Sequence, residues 1–333
     1  MKKSLALVLF LVILAFPPFK ATALTVSPVR LEVSGLPGQI LLSELILLNE
    51  EREARTFYSS LENFEARGET GRPYFTPGTE GLATWIKVPK EITLEPGETK
   101  TIPFSIGIPQ NTEPGGYFAA IFWGSMPPEI KEGGQIMVGT KTGILVLLSI
   151  PGEIKGEAGI LEFSTKDKEK FFSSLPISFI YRFQNTSQDR IKPEGEIEIK
   201  NIFGKISAVL PANKVEGNVL PRSIRKFEVI WADKIKDTNI EETQGDTKTG
   251  FFGAVKKQWS DFHFGRYVAN LNLIYGVKNE TAQASFSFFI IPWQLLIVII
   301  ILLVVILIVG RLGIKKYNKW IIAKALKGRR ASE

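Results

Sequence analysis

The sequence predicts an all-β protein: two tandem immunoglobulin-like β-sandwiches followed by one C-terminal transmembrane α-helix. Three observations predict it. Short segments alternate apolar and polar residues with a period of two, the repeat of a strand with one buried face. Proline- and glycine-rich turns separate these segments about every 10–15 residues. Finally, Phe286–Gly310 carries no charged side chain. At ~1.5 Å of rise per residue this run is long enough to cross a ~30 Å hydrocarbon layer.

At the start, Lys2 and Lys3 precede the apolar run Leu5–Phe16 and the small-residue site Ala21-Thr22-Ala23. This is the layout of a secretory signal peptide over residues 1–23, so the chain that follows is expected to be exported. A first sandwich is expected over 24–152. Ile40–Leu48 is strongly apolar. In Thr99–Ile108 the residues Ile102, Phe104, Ile106 and Ile108 share one face. Tyr117–Trp123 and Gly143–Ile150 are further strands, with turns at Leu36-Pro37-Gly38, Glu95–Glu98 and Pro114–Gly116.

A second sandwich is expected over 156–290. Ile177, Phe179, Tyr181 and Phe183 share a face, as do Ile197 and Ile199. Phe227, Val229 and Trp231 repeat the pattern, and so do Tyr267, Ala269, Leu271, Leu273 and Tyr275. Phe286, Phe288 and Ile290 close the set. Arg266–Tyr275 and Gln283–Ile290 read as a hairpin, which brings Ala232–Gly265 to the membrane side. The transmembrane segment is placed at 291–310 and a cytosolic basic tail at 311–333.

The formal charge of +7 is not spread evenly. Lys2, Lys3 and Lys20 lie in the leader, and eight Lys and Arg face only Glu333 in the tail. The remaining 30 basic and 33 acidic residues leave 24–310 slightly acidic, which removes a nucleic-acid reading. The sequence has no cysteine, so disulfides, thiolate metal sites and cysteine nucleophiles are excluded. The single histidine, His263, has no ligand cluster at metal spacing. No G-x-S-x-G elbow, phosphate loop or EF-hand occurs. Ser223-Ile-Arg-Lys226 matches S-x-x-K but precedes a strand pattern, and Glu241-Glu242 lies in a polar insert. No catalytic, cofactor or metal residue is therefore assigned. Asn185-Thr-Ser and Asn279-Glu-Thr are formal glycosylation sequons.

Two binding elements stand out. Arg67–Thr84, rich in glycine and proline, reads as a long loop presenting Tyr74 and Phe75 to a partner. Phe251–Phe264 reads as an insert at the outer headgroup layer, with Phe251, Phe252 and Trp259 at the interface beside Trp293. On the other flank Arg311, Lys315, Lys316 and Lys319 hold the tail in the cytosol. The expected localisation is a single-pass cell-membrane protein, N-terminal domains extracellular and C-terminus cytoplasmic.

Several stretches resemble WxL-interacting bacterial surface proteins. In the first domain these are Leu94–Glu98, Ile108-Pro109 and Pro114–Tyr117. In the second they are Pro193–Ile197, Asn201–Gly204, Val219–Pro221 and Tyr275-Gly276. The resemblance implies peptidoglycan binding by the first domain and binding of a WxL-type surface protein by the second. No motif carries either activity onto particular residues. The expected function is a non-enzymatic, membrane-anchored protein that binds cell-wall polymer or another surface protein through its distal sandwich. Membrane lipid is a further partner. The alternative is an accessory subunit of a membrane complex, assembled through the juxtamembrane insert and the helix. A helix lacking polar residues and G-x-x-x-G weighs against it.

Overall fold

Alternation in the sequence becomes strands in the computed structural model, which describes residues 24–127, 140–232 and 250–330, with side chains to 321. The leader and Glu241-Glu242 lie outside this description, as do the side chains of the cations from Lys324 onward. The chain divides into two compact units. One holds residues 1–157 with 185–190 and 220–223; the other holds 158–184, 191–219 and 224–333.

The first unit contains β1 (Leu24–Ser27), β2 (Arg30–Ser34), β3 (Ile40–Asn49), β4 (Arg55–Ala66) and β5 (Pro73–Pro77). A one-turn helix, α1 (Leu82–Trp85), follows. Then come β6 (Ile86–Lys87), β7 (Glu91–Leu94), β8 (Thr99–Gly107), β9 (Gly115–Gly124) and β10 (Lys141–Ile150). One sheet has the order β1-β3-β8-β6. The other runs β2-β10-β9-β4-β5, with β7 also on β4. The chain changes sheets at Pro28 and Val29. β1 pairs antiparallel with β3, whereas β2 pairs parallel with β10. Proline has no N–H to give a ladder, which suits it to that crossing. Leu45, Leu47, Ile102, Phe104 and Ile106 from one sheet meet Phe57, Ile121, Trp123, Val146 and Leu148 from the other in one core.

The second unit contains β11 (Ala158–Thr165), β12 (Phe171–Phe172), β13 (Ile177–Asn185), β14 (Glu194–Asn201), β15 (Ile206–Pro211) and β16 (Ser223–Trp231). After these come α2 (Phe251–Ser260), β17 (Gly265–Tyr275), β18 (Glu280–Ile290) and α3 (Trp293–Arg330). Its sheets have the orders β11-β13-β16 and β12-β18-β17-β14-β15. The faces read from the sequence are the buried ones. Ile177, Phe179, Tyr181, Phe183, Phe227, Trp231, Leu271 and Phe288 all lie in its core. The protein is thus all-β apart from its helices, with two immunoglobulin-like sandwiches along the chain and one apolar C-terminal helix.

The apolar run belongs to β18 up to Ile290, and the helix starts at Trp293, inside the span placed at 291–310. Two expectations change. Arg67–Thr84 is not a loop throughout, because Pro73–Pro77 hydrogen-bonds to β4 as an edge strand and Leu82 begins a helical turn. The aromatic insert is a helix from Phe251 to Ser260.

Candidate functional site

The structure separates Tyr74 from Phe75, as the alternation of a strand requires. Phe75 packs back onto the outer face of its sheet, 4.9 Å from Phe122 and 6.1 Å from Phe64 between ring centroids. Phe118 extends this cluster, 5.7 Å from Phe64. Tyr74 stays exposed, with the Arg67 guanidinium 4.2 Å from its ring centroid. Pro73 and Pro77 close both ends of β5. They remove donors that an added strand would need, so this edge presents side chains rather than a ladder.

A different edge is open. β1 covers β3 only from Ile46 to Asn49, because the chain leaves that sheet after Ser27. Among the described residues, no strand pairs with Ile40–Leu45 on that side, while β8 pairs with them on the other. Ile40 and Leu42 on this stretch are 68% and 83% exposed, and Ile46 lies on the same face beyond the exposed Glu44. Leu45 and Leu47 point the other way into the core. Across the ladder, Ile40 faces Gly107, Leu42 faces Ser105 and Ile46 faces Thr101, so small neighbours leave the aliphatic side chains uncovered. The sequence reading found the strand but missed this surface. Ile40–Leu48 is apolar on both faces apart from Ser43 on one and Glu44 on the other, so no alternation marks the wet one.

A cleft of about 350 Å³ also opens among residues of the first unit, lined by Phe64, Tyr117, Phe118, Glu65, Glu113 and Arg222 among others. Burial, then the charge of Glu113, pushes the Tyr117 hydroxyl above the usual phenol range. That hydroxyl donates to the Glu113 carbonyl at 3.1 Å. Carboxylates and a guanidinium share the lining, so the cleft offers no single charge to a ligand.

In the second unit Phe251, Phe252 and Trp293 come together. Phe251 lies 6.3 Å from Trp293 and 5.6 Å from Phe252, edge to face. Phe252 and Trp259 are exposed. Gln258, seven residues from Phe251 and so on its face of α2, is buried. Its Oε1 accepts the backbone N–H of Leu295 at 2.9 Å, and its amide donates to Gln294. A helix start leaves its first N–H groups without intrahelical acceptors. Gln258 supplies one from a neighbouring helix, fixing α2 to the first turn of α3. Nothing in the sequence pattern marked this contact.

Trp293–Ile321 is long and apolar enough to cross a membrane. Trp293 and Arg311 are separated by ~27 Å of helix, close to the thickness of the hydrocarbon layer. Arg311, Lys315 and Lys319 recur every four residues and so share a face, with Lys316 beside it; all four are exposed.

Among the described residues, His263, Ser223 and Lys226 are not brought together. His263 sits edge-on to Trp231, with ring centroids 5.2 Å apart. Ser223 and Lys226 lie three apart in β16, on opposite faces of a strand. Among the described residues no group of His, Asp or Glu is arranged to hold a metal ion. Asn185 is fully buried and its amide donates to the Asp189 carbonyl at 2.7 Å, so in the folded protein this sequon is closed to a glycan.

No known protein family and no curated protein matches this sequence. Among solved structures, the chain is similar to the class 5 fimbriae chaperone CfaA at 14% identity and a TM-score of 0.36, covering 81% of this chain and 100% of that one. It is similar to the Pseudomonas aeruginosa CupB2 chaperone at 10% identity and a TM-score of 0.34, covering 80% and 100%. For the E. coli chaperone DraB the values are 11% identity and 0.33, covering 81% and 97%. No function is carried across from them.

Proposed function

We propose that this is a membrane-anchored, non-catalytic binding protein whose first sandwich holds another surface protein along the open edge of β3. The observation that carries the reading is the uncovered stretch Ile40–Leu45, which joins unpaired backbone to exposed aliphatic side chains. An extended segment added here gains main-chain hydrogen bonds from the edge and specificity from alternate side chains over Ile40 and Leu42. Aliphatic side chains favour a protein over a cell-wall polymer, which presents hydroxyl and amide groups. The resemblance to WxL-interacting proteins would give wall polymer to this sandwich, and the second reading follows it. Tyr74 with Arg67 is an exposed aromatic platform on which a sugar ring can stack. In both readings α3 is the anchor, with the sandwiches outside and the cationic flank inside.

Photo-crosslinking on intact cells separates the two. A benzophenone side chain at position 42 is expected to trap one discrete protein, and the adduct collapses on protease treatment. The same group at position 74 is expected to trap nothing. An adduct at 74 that shrinks under muramidase, with none at 42, would replace the protein partner by wall polymer.

A further inference from the structure

The same end of the second unit that starts α3 carries a second apolar projection, far from α2 in the sequence. β14 and β18 both run antiparallel to β17. They therefore point the same way, and Asn201 at the end of β14 lies level with Tyr267 and Phe288. Two residues beyond Phe288, β18 ends at Ile290, and α3 begins at Trp293. With strands ~4.8 Å apart, the turn after Asn201 stands only ~10 Å to the side of that junction.

The turn is Ile202-Phe203-Gly204-Lys205, and it is built to hold its shape. The Asn201 side-chain oxygen accepts the N–H groups of Phe203 at 3.0 Å and Lys205 at 3.1 Å. The backbone closes with Gly204 N–H to Asn201 O at 2.9 Å and Asn201 N–H to Lys205 O at 3.0 Å. Gly204 has φ of +74°, the left-handed region that glycine enters freely. This rigid turn exposes Phe203 to 88% and Ile202 to 65%. An aromatic and a β-branched residue held in water at the tip of an ordered turn mark an interaction site.

We propose that the Ile202–Lys205 turn inserts into the outer headgroup layer of the membrane that α3 crosses, so that the second sandwich touches the bilayer at two points. The inference rests on the reading of α3 as the anchor. Register supplies the occupant, because whatever surrounds the first turn of α3 also meets this turn. Phe203 and Ile202 enter the acyl boundary, and Lys205 stays at the level of the phosphates, as interfacial segments arrange such residues. Phe171 belongs to the same end: it pairs with Phe289 on the sheet edge and stacks on it at 5.4 Å.

The absence of cysteine makes a direct test available. The full chain carrying Phe203→Cys is labelled with a nitrobenzoxadiazole dye and reconstituted into phosphatidylcholine–phosphatidylglycerol vesicles that contain a nitroxide lipid. Ile306→Cys, within α3, reports on the anchor. Val277→Cys, on the β17–β18 turn at the other end of the sheet, reports on water. The expected result is loss of dye emission at 203 and 306, with none at 277. Emission kept at 203 but lost at 306 overturns the turn's insertion and leaves the anchor standing. Emission kept at 203 and 306 overturns the anchor reading itself. Quenching at 277 as well as 203 overturns the end-on contact, because a sheet standing on its membrane end keeps Val277 in water.

Discussion

Asn49 ends β3 and is wholly buried, yet none of its polar atoms is wasted. Its amide reaches the carbonyls of Glu53 at 3.0 Å, Leu94 at 3.0 Å and Glu95 at 3.2 Å, and its Oδ1 accepts the Glu51 N–H at 3.0 Å. Asn185 repeats the device at the end of β13, donating to the carbonyl four residues on and accepting from the N–H two residues on. Each asparagine does the work of a short piece of ladder where the strand runs out. Replacing Asn49 by alanine leaves a buried carbonyl without its donor, a defect that costs about 1–3 kcal/mol. Asn49→Ala is expected to lower the free energy of unfolding by that amount. Asn49→Asp keeps the acceptor but turns a carboxylate oxygen towards the same carbonyls, so it should fall at least as far. Equal stability of Asn49→Ala and the parent in urea would show that the network is ornamental. The sequence displayed Asn185 only as a sequon, because a triplet cannot reveal which asparagines are buried. The buried aromatic faces were legible for the opposite reason: Phe179, Tyr181 and Phe183 alternate with residues of different character. Burial holds the Tyr181 hydroxyl far above the usual phenol range, and it donates to the Ala212 carbonyl at 3.1 Å.

Strands and helices differ in how much of their environment they write into their own sequence. β8 could be read with its faces assigned, since Ile102, Phe104 and Ile106 stand against Thr101, Pro103 and Ser105. β3 could be read only as a strand, because its outward Ile40, Leu42 and Ile46 look like core residues. What opens the edge beside Ile40 and Leu42 is the early departure of β1, a long-range fact. α2 was missed although Phe251, Val255 and Trp259 recur every four residues. Gly253 weakens the helix, and its N-cap, Gly250, offers no side-chain hydrogen bond. This helix is therefore maintained by its docking on α3, through Gln258 and the Phe251–Trp293 contact. Gln258→Ala removes a cap, worth about 1 kcal/mol by comparison with ordinary N-caps. The expected outcome is faster amide exchange across Phe251–Ser260 and at Leu295, with β17 and β18 unchanged. Unaltered protection in α2 would mean that its aromatic contacts alone hold it.

The whole protein is asymmetric in charge along its chain, and the proposed topology turns that asymmetry into orientation. Residues 24–310 are slightly acidic, whereas Arg311, Lys315, Lys316 and Lys319 open a cationic flank continued by Lys324, Lys327, Arg329 and Arg330. Each cation beside an anionic leaflet contributes ~1 kcal/mol, so the first four together contribute ~4 kcal/mol against inversion. Neither sandwich supplies such a bias, because a folded domain carries no preference for one side of a bilayer once the anchor is set. Replacing the four by glutamine leaves the helix its apolar length, so the chain should still insert. It should then do so in both orientations, since the remaining cations lie farther from the hydrocarbon edge and feel the surface potential less. An impermeant maleimide applied to whole cells reads the outcome on Val277→Cys, an exposed position in the second sandwich. The parent chain should label fully and the four-glutamine chain only in part. Full labelling of both would assign orientation to export of the sandwiches rather than to the flank, and the cationic face of α3 would then need a cytosolic partner to account for it.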